Sequence, residues 1–110
     1  MMKINEIIAS GKFSAVSVSE PEREIGGIYI GDLLSWVMGR AQADNAWITI
    51  MSNINIVAVA SLVDAACIIL AEGVELDAAV VETAKAKEVN ILSTPLPAYE
   101  AAMELSNLRK

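Results

Sequence analysis

The sequence predicts one α/β domain, a single layered unit spanning residues 1–110 with a mostly parallel sheet flanked by helices, and two stretches carry that prediction. The first is Ala46 to Gly73, AWITIMSNINIVAVASLVDAACIILAEG, which reads as a β-α-β unit. Ala46-Trp47-Ile48-Thr49-Ile50-Met51 and Ala66-Cys67-Ile68-Ile69-Leu70 read as aromatic and β-branched runs, as suits strands covered on both faces of a parallel sheet. Between them Ser52-Asn53-Ile54-Asn55 offers cap-forming side chains before Ile56, Val59, Ala60 and Val63 recur at helical spacing. The second is the continuation, a helical pattern, a strand and another helix, so the order β-α-β-α-β-α calls for right-handed crossovers on a shared sheet.

The elements follow in chain order. Met2 to Ser10 places Ile4, Ile7 and Ile8 on one helical face, and Gly11 stands where a left-handed terminator belongs. Lys12 to Ser19 interleaves Phe13 and Ala15 with Ser14, Ser17 and Ser19, which predicts a half-exposed strand at a sheet edge. Glu20-Pro21-Glu22-Arg23-Glu24 then reads as a solvated charged loop. Ile25 to Ile30 is a strand opened by Gly26 and Gly27, after which Gly31-Asp32 turns the chain into a helix with Asp32 as its N-cap and Ser35 three residues on. In that helix Leu33, Leu34, Val37, Met38 and Ala41 form the expected apolar stripe. Trp36 and Arg40 share another face at i, i+4, fit to stack on each other or to anchor a subunit interface.

Beyond the central unit, Gly73 ends a strand and Asp77 caps a helix running to Lys87, with Val80, Val81 and Ala84 facing in. Val89-Asn90-Ile91-Leu92 is a third parallel strand, and Pro97 opens a last helix that carries Ala98, Ala101, Leu105 and Leu108.

Composition narrows the function. With 8 basic against 14 acidic residues the net charge is −6, and no cluster of Lys or Arg is present to hold a nucleic-acid backbone. The apolar share of 55% and mean hydropathy of +0.48 are high for so small a chain, which points to a homodimer burying part of that surface. Asp64 interrupts the most apolar window, so it reads as core and not as a membrane span, and Glu6 interrupts the N-terminal apolar run, so no signal peptide is read there. A cytoplasmic protein is expected. Cys67, the one cysteine, falls in a central strand and reads as a small buried apolar residue.

Catalytic groupings are hard to find. Histidine is absent, which removes the commonest general base and the imidazole metal ligands, and no phosphate-binding glycine loop or CxxC is present. No enzyme, cofactor or metal is expected. What remains is a set of polar residues where parallel strands end, along the edge at which open α/β sheets bind ligands. Asp32, Ser35, Ser52, Asn53, Asn55, Glu72, Gly73, Ser93 and Thr94 are the candidate ligand-binding residues, each also fit for a cap or turn.

The segments GGIYIGDLLSWVMGRA, AWITIMSNINIVAVASL, CIILAEG and ILSTPLPAYEAA give the chain, over roughly Ile25 to Leu105, a likeness in order and spacing to a known family. It resembles the small DRTGG-type domains related to the N-terminal domain of HPr kinase/phosphorylase. The resemblance implies a fold similar to the N-terminal domain of the Mur ligases and a regulatory or ligand-sensing role. Nucleotide chemistry in the bifunctional kinase resides in a separate domain with a phosphate loop. Where the family motif begins with Asp-Arg this chain has Ser52-Asn53, and where the motif has Thr-Gly-Gly it has Ala71-Glu72-Gly73. Two readings follow: a stand-alone homodimeric module that docks on a partner enzyme or kinase, and a domain binding a nucleotide, sugar nucleotide or other small anion at the strand ends.

Overall fold

The computed structural model describes residues 2–109. Its centre is the pair Asn45–Thr49 (β5) and Cys67–Leu70 (β6), joined by the helix Asn55–Val63 (α3) and lying parallel with Trp47 beside Ile68. Trp47, Ile48, Ile68, Ile69 and Leu70 are completely buried, because helices cover both faces of the sheet at this point. Parallel strands flank the pair on either side. Gly27–Ile30 (β4) pairs with β5 and is followed by the helix Leu34–Arg40 (α2); Ile91–Ser93 (β7) pairs with β6 and is preceded by the helix Ala78–Ala86 (α4).

The strand order of the five-stranded sheet is β2-β7-β6-β5-β4, with Ser14–Ser17 (β2) antiparallel at one edge. Since β4 to β7 follow one another in sequence and in space, right-handed crossovers put α2, α3 and α4 on the same face. Val37, Ile56, Val57, Ala60, Val80 and Ala84 accordingly share a core with Trp47, Ile68, Leu70 and Ile91. The opposite face is closed by the two ends of the chain. Ile4 and Ile7 of the helix Ile4–Ala9 (α1) and Ala101 and Leu105 of the helix Ala98–Leu108 (α5) pack there with Phe13, Ile48, Ile69 and Leu92. The strand Met2–Lys3 (β1) pairs with Glu24–Ile25 (β3), setting Met2 opposite Ile25, and the Arg109 guanidinium reaches the carbonyl of Gly26 at 3.3 Å.

Several expectations are corrected. Parallel strands number four and not three, since Gly27–Ile30 joins the parallel set. Leu33 occupies the N-cap of α2, and of the expected stripe only Val37 is fully buried, while Leu33 and Met38 are exposed. Asp32 caps no helix. In β2 a register shift between Ala15 and Ser17 breaks the alternation, so that Ser17 is buried and Ala15 exposed; the Ser17 hydroxyl has no hydrogen-bond partner among the described residues. Asp77 stands at the N-cap of α4 without a side-chain cap bond.

The charged loop is held down more firmly than a solvated connection. Arg23 donates to the carbonyl of Asp64 at 2.7 Å and to the carboxylates of Asp64 at 2.9 Å, Asp44 at 3.0 Å and Glu20 at 3.3 Å. Burial works to lower its pKa, but its hydrogen bonds to Asp64 and Asp44 and the Asp64 charge outweigh that and raise it above the ordinary value. This clamp closes the edge of the sheet where the parallel strands begin, at Asp44 and Asp64, both in the left-handed region with φ of 67° and 58°.

Candidate functional site

The four parallel strands end on one rim, as the sequence requires of a shared binding edge. Ala71 N–H donates to the carbonyl of Thr49, and Thr94 N–H to that of Leu70, so the residues after successive strands lie beside one another. The nine predicted residues divide between two halves of this rim. Asp32, Ser35, Ser52, Asn53 and Asn55 stand over β4 and β5; Glu72, Gly73, Ser93 and Thr94 stand over β6 and β7.

Over β4 and β5 the polar groups mostly serve the backbone. One Asp32 carboxylate oxygen accepts from the Thr49 hydroxyl at 2.7 Å and from Ile50 N–H at 3.1 Å, fastening the loop after β4 to the end of β5. Asn53 accepts from Asn55 N–H at 2.9 Å, the local turn expected of Asn before a helix. Ser35, Ser52 and Asn55 are exposed, and their surroundings are apolar: Ile30, Leu33, Ile50 and Ile54 are exposed too.

Over β6 and β7 the rim is concave. A cavity of about 310 Å³ is lined by Leu70 and Ser93 at the strand ends, Val16 of β2, and Val74, Glu75 and Leu76 of the loop after β6. That volume is at the lower end of the range small ligands occupy, about 300–1,000 Å³. The cavity lies on the face that carries α2, α3 and α4, between the loop after β6 and the edge strand β2, since Val16, Leu70, Val74 and Leu76 all belong to the core of that face. Glu72 and Gly73 make the sharp turn with φ of 60° and 72°, and their N–H groups donate to the carbonyls of Leu96 and Thr94 at 2.9 and 3.0 Å, which latches one connection to the other.

Thr94 is buried, and its hydroxyl is committed to the structure: it donates to the Lys12 carbonyl at 2.9 Å and accepts from Leu96 N–H at 3.2 Å. Glu72 and Gly73 are exposed and Ser93 is partly buried in the cavity wall. Sequence reading missed Val16, Val74, Glu75 and Leu76. The position of Glu72 to Asp77 between a strand and a helix was a usable signal for the last three, whereas Val16 reaches the site only through the antiparallel pairing of Ser14 with Ser93. The lining residues of the cavity are mostly apolar, Val16, Leu70, Val74 and Leu76, with Glu75 and Ser93 as the polar members.

Elsewhere the chemistry is muted. The Cys67 thiol is fully buried between apolar neighbours and pushed up to about 12 by that burial, so it is held as a neutral thiol. A second groove, of about 200 Å³, lies at the opposite end of the strands beside Arg23, Asp64 and Lys87; the arginine facing it is already paired with three carboxylates, which marks it as structural. Among the described residues no group of three His, Cys, Asp or Glu side chains is placed to hold a metal, and no helix is long and apolar enough to cross a membrane.

No curated protein matches this chain in sequence. Its fold is similar to that of the CBS and DRTGG domains of the regulatory region of Clostridium perfringens pyrophosphatase, solved in complex with the activator diadenosine tetraphosphate. The TM-score is 0.71 at 12% identity over 92% of this chain, so the likeness is one of fold, and the chain spans 44% of that structure's length. The family model of the DRTGG domain matches residues 12–108, nearly the whole sheet and its helices. The chain therefore belongs to the DRTGG domain family.

Proposed function

We propose that residues 1–110 form a non-catalytic regulatory domain, a cytoplasmic ligand-sensing module that acts as a homodimer and docks on a partner enzyme or kinase. The observation that carries this reading is the cavity over β6 and β7, which combines apolar walls with Ser93 and Glu75 and no nucleophile-base pair. Ligand occupancy there bears directly on the latched connections to α4 and α5, one on each face of the sheet. Two further facts support it: membership of the DRTGG family, and a similar fold in the regulatory region of an enzyme. The kinship with the N-terminal domain of HPr kinase/phosphorylase implied by the sequence fits the same role.

A second reading, a nucleotide or sugar-nucleotide ligand, is favoured by the nucleotide activator in the similar structure. The cavity lining suits the base and ribose of such a ligand better than its phosphates, since it contributes Glu75 and no cation. The remaining candidates Asp32, Ser35, Ser52, Asn53 and Asn55 then border the rim without forming the cavity.

Thermal-shift measurements against nucleosides, nucleotides, dinucleoside polyphosphates and sugar nucleotides test both readings. A ligand at 100 times its dissociation constant adds about 2.7 kcal/mol of stability. The expected result is a shift with an adenosine-containing compound that Ser93→Leu abolishes. A shift unaffected by Ser93→Leu removes the cavity from the argument, and no shift with any compound leaves docking on a partner as the function.

A further inference from the structure

The walls of the cavity over β6 and β7 are not equally firm. Leu70 is paired with Thr49 on one side and Ser93 on the other, and Ser93 is paired in turn with Ser14, so the strand ends that line the cavity cannot yield without breaking the sheet. The wall formed by Val74-Glu75-Leu76 is fastened differently. Val74 N–H donates to the Ala71 carbonyl, and the next paired backbone group is the Asp77 carbonyl, which accepts from Val80 and Val81. Among the described residues the N–H and carbonyl groups of Glu75 and Leu76 make no hydrogen bond. What seats this stretch is two side chains, Val74 and Leu76, partly buried against the core of the α2, α3 and α4 face.

Both ends of the stretch are jointed. Glu72 and Gly73 turn it away from β6 in the left-handed region, and their bonds to Leu96 and Thr94 fix that end. At the other end Asp77 stands at the N-cap of α4 with no side-chain cap bond. Lifting the strap therefore breaks apolar contact and no hydrogen bond, which makes it the least costly wall to move. Any movement passes to α4, because Leu76 leads directly into its N-cap. Of α4 only Val80 and Ala84 are buried, while Ala78, Ala79, Glu82, Lys85 and Ala86 face solvent, so a shift of this helix is presented on the outer surface.

We propose that Val74–Leu76 is the moving wall of the cavity: a ligand entering it displaces the strap, and the strap shifts α4, which displays occupancy to whatever docks on the domain. This rests on the ligand-sensing reading of the cavity and supplies its output element.

The test has one arm without ligand and one with it. In Leu76→Ala the strap keeps one of its two seats, and a glutamate-specific protease cuts after Glu75 roughly tenfold faster than in wild type. Cuts after Glu82 in α4 and after Glu88 beyond it stay unchanged; if they rise equally, the strap is no separate unit and the proposal fails. In the second arm adenosine is titrated into the isotope-labelled chain and the backbone amides are followed by NMR. Resonance shifts are expected at Ser93 and through residues 74–77, continuing along α4 to Lys85, about 10 Å from its start. Asp77→Gly keeps an acceptable N-cap but loosens the joint, so the shift at Ser93 persists and that at Lys85 falls by about half or more. An undiminished shift at Lys85 in this variant overturns the transmission to α4. Shifts at Ser93 with residues 74–77 unmoved overturn the strap and leave the ligand site standing, whereas no shift at any lining residue overturns both.

Discussion

Asn90 is the residue whose replacement tests the placement of β2 most directly. It is 2% exposed and spends its whole amide on the backbone: the oxygen accepts from Ser19 and Glu20 N–H at 2.9 Å each, and the nitrogen donates to the carbonyls of Glu20 at 3.0 Å and Ala66 at 3.1 Å. Asn90→Ala deletes four bonds. The groups of Ser19 and Glu20 sit in an exposed turn and regain water, but the Ala66 carbonyl is left buried and unpaired. With about 1 kcal/mol for each bond, offset in part by rehydration, and about 1–3 kcal/mol for a buried orphan, the loss is about 3 kcal/mol. At about 4 °C per kcal/mol the melting temperature falls by roughly 12 °C.

Asn90→Asp sharpens the test. It keeps the acceptor for Ser19 and Glu20 and turns the second oxygen toward two carbonyls while burying a charge, so at neutral pH it costs more than Asn90→Ala. Burial raises the pKa of that introduced carboxyl in the folded state. Its neutral form is favoured there, and stability relative to wild type recovers as pH falls from 7 toward 4. Urea unfolding of both variants across that range is the assay. Losses under about 1 kcal/mol for Asn90→Ala, or no pH dependence for Asn90→Asp, refute the account.

Two further outcomes are expected. Asp32→Ala removes the acceptor of the buried Thr49 hydroxyl and of Ile50 N–H, so it destabilises the chain by about 2 kcal/mol in urea unfolding without any ligand present; an unchanged midpoint means that Asp32 is no structural tie. Cys67 should resist thiol reagents until the protein unfolds. Because its folded pKa is raised from 9.0 to about 12, the unfolded chain loses that proton first as pH rises above 9. Stability then falls across that window by about 1.4 kcal/mol per pH unit beyond the fall seen in Cys67→Ala, and equal slopes for the two proteins exclude it.

The central β-α-β unit was legible because both strands are apolar at every buried position but Thr49 and the helix between them carries Ile56, Val59 and Ala60 at the right spacing. The shared rim followed from it. Helix α2 was read less well. Its first apolar residue, Leu33, belongs to the turn and not to the helix, and Asp32, which looks like a cap by type, bonds across to Thr49. Ser17 escaped because a bulge reverses the facing of a strand and leaves no mark in an alternating pattern. The site was half legible for a related reason. Residues following a parallel strand announce themselves, but the cavity also needs Val16, brought in by a non-local antiparallel pairing that no local spacing encodes.

Met2, paired with Ile25, and Arg109, bonded to the Gly26 carbonyl, are fastened to neighbouring residues of one strand segment. The first and last elements of the fold therefore meet at a single point of the sheet, and loosening either one frees the start of β4.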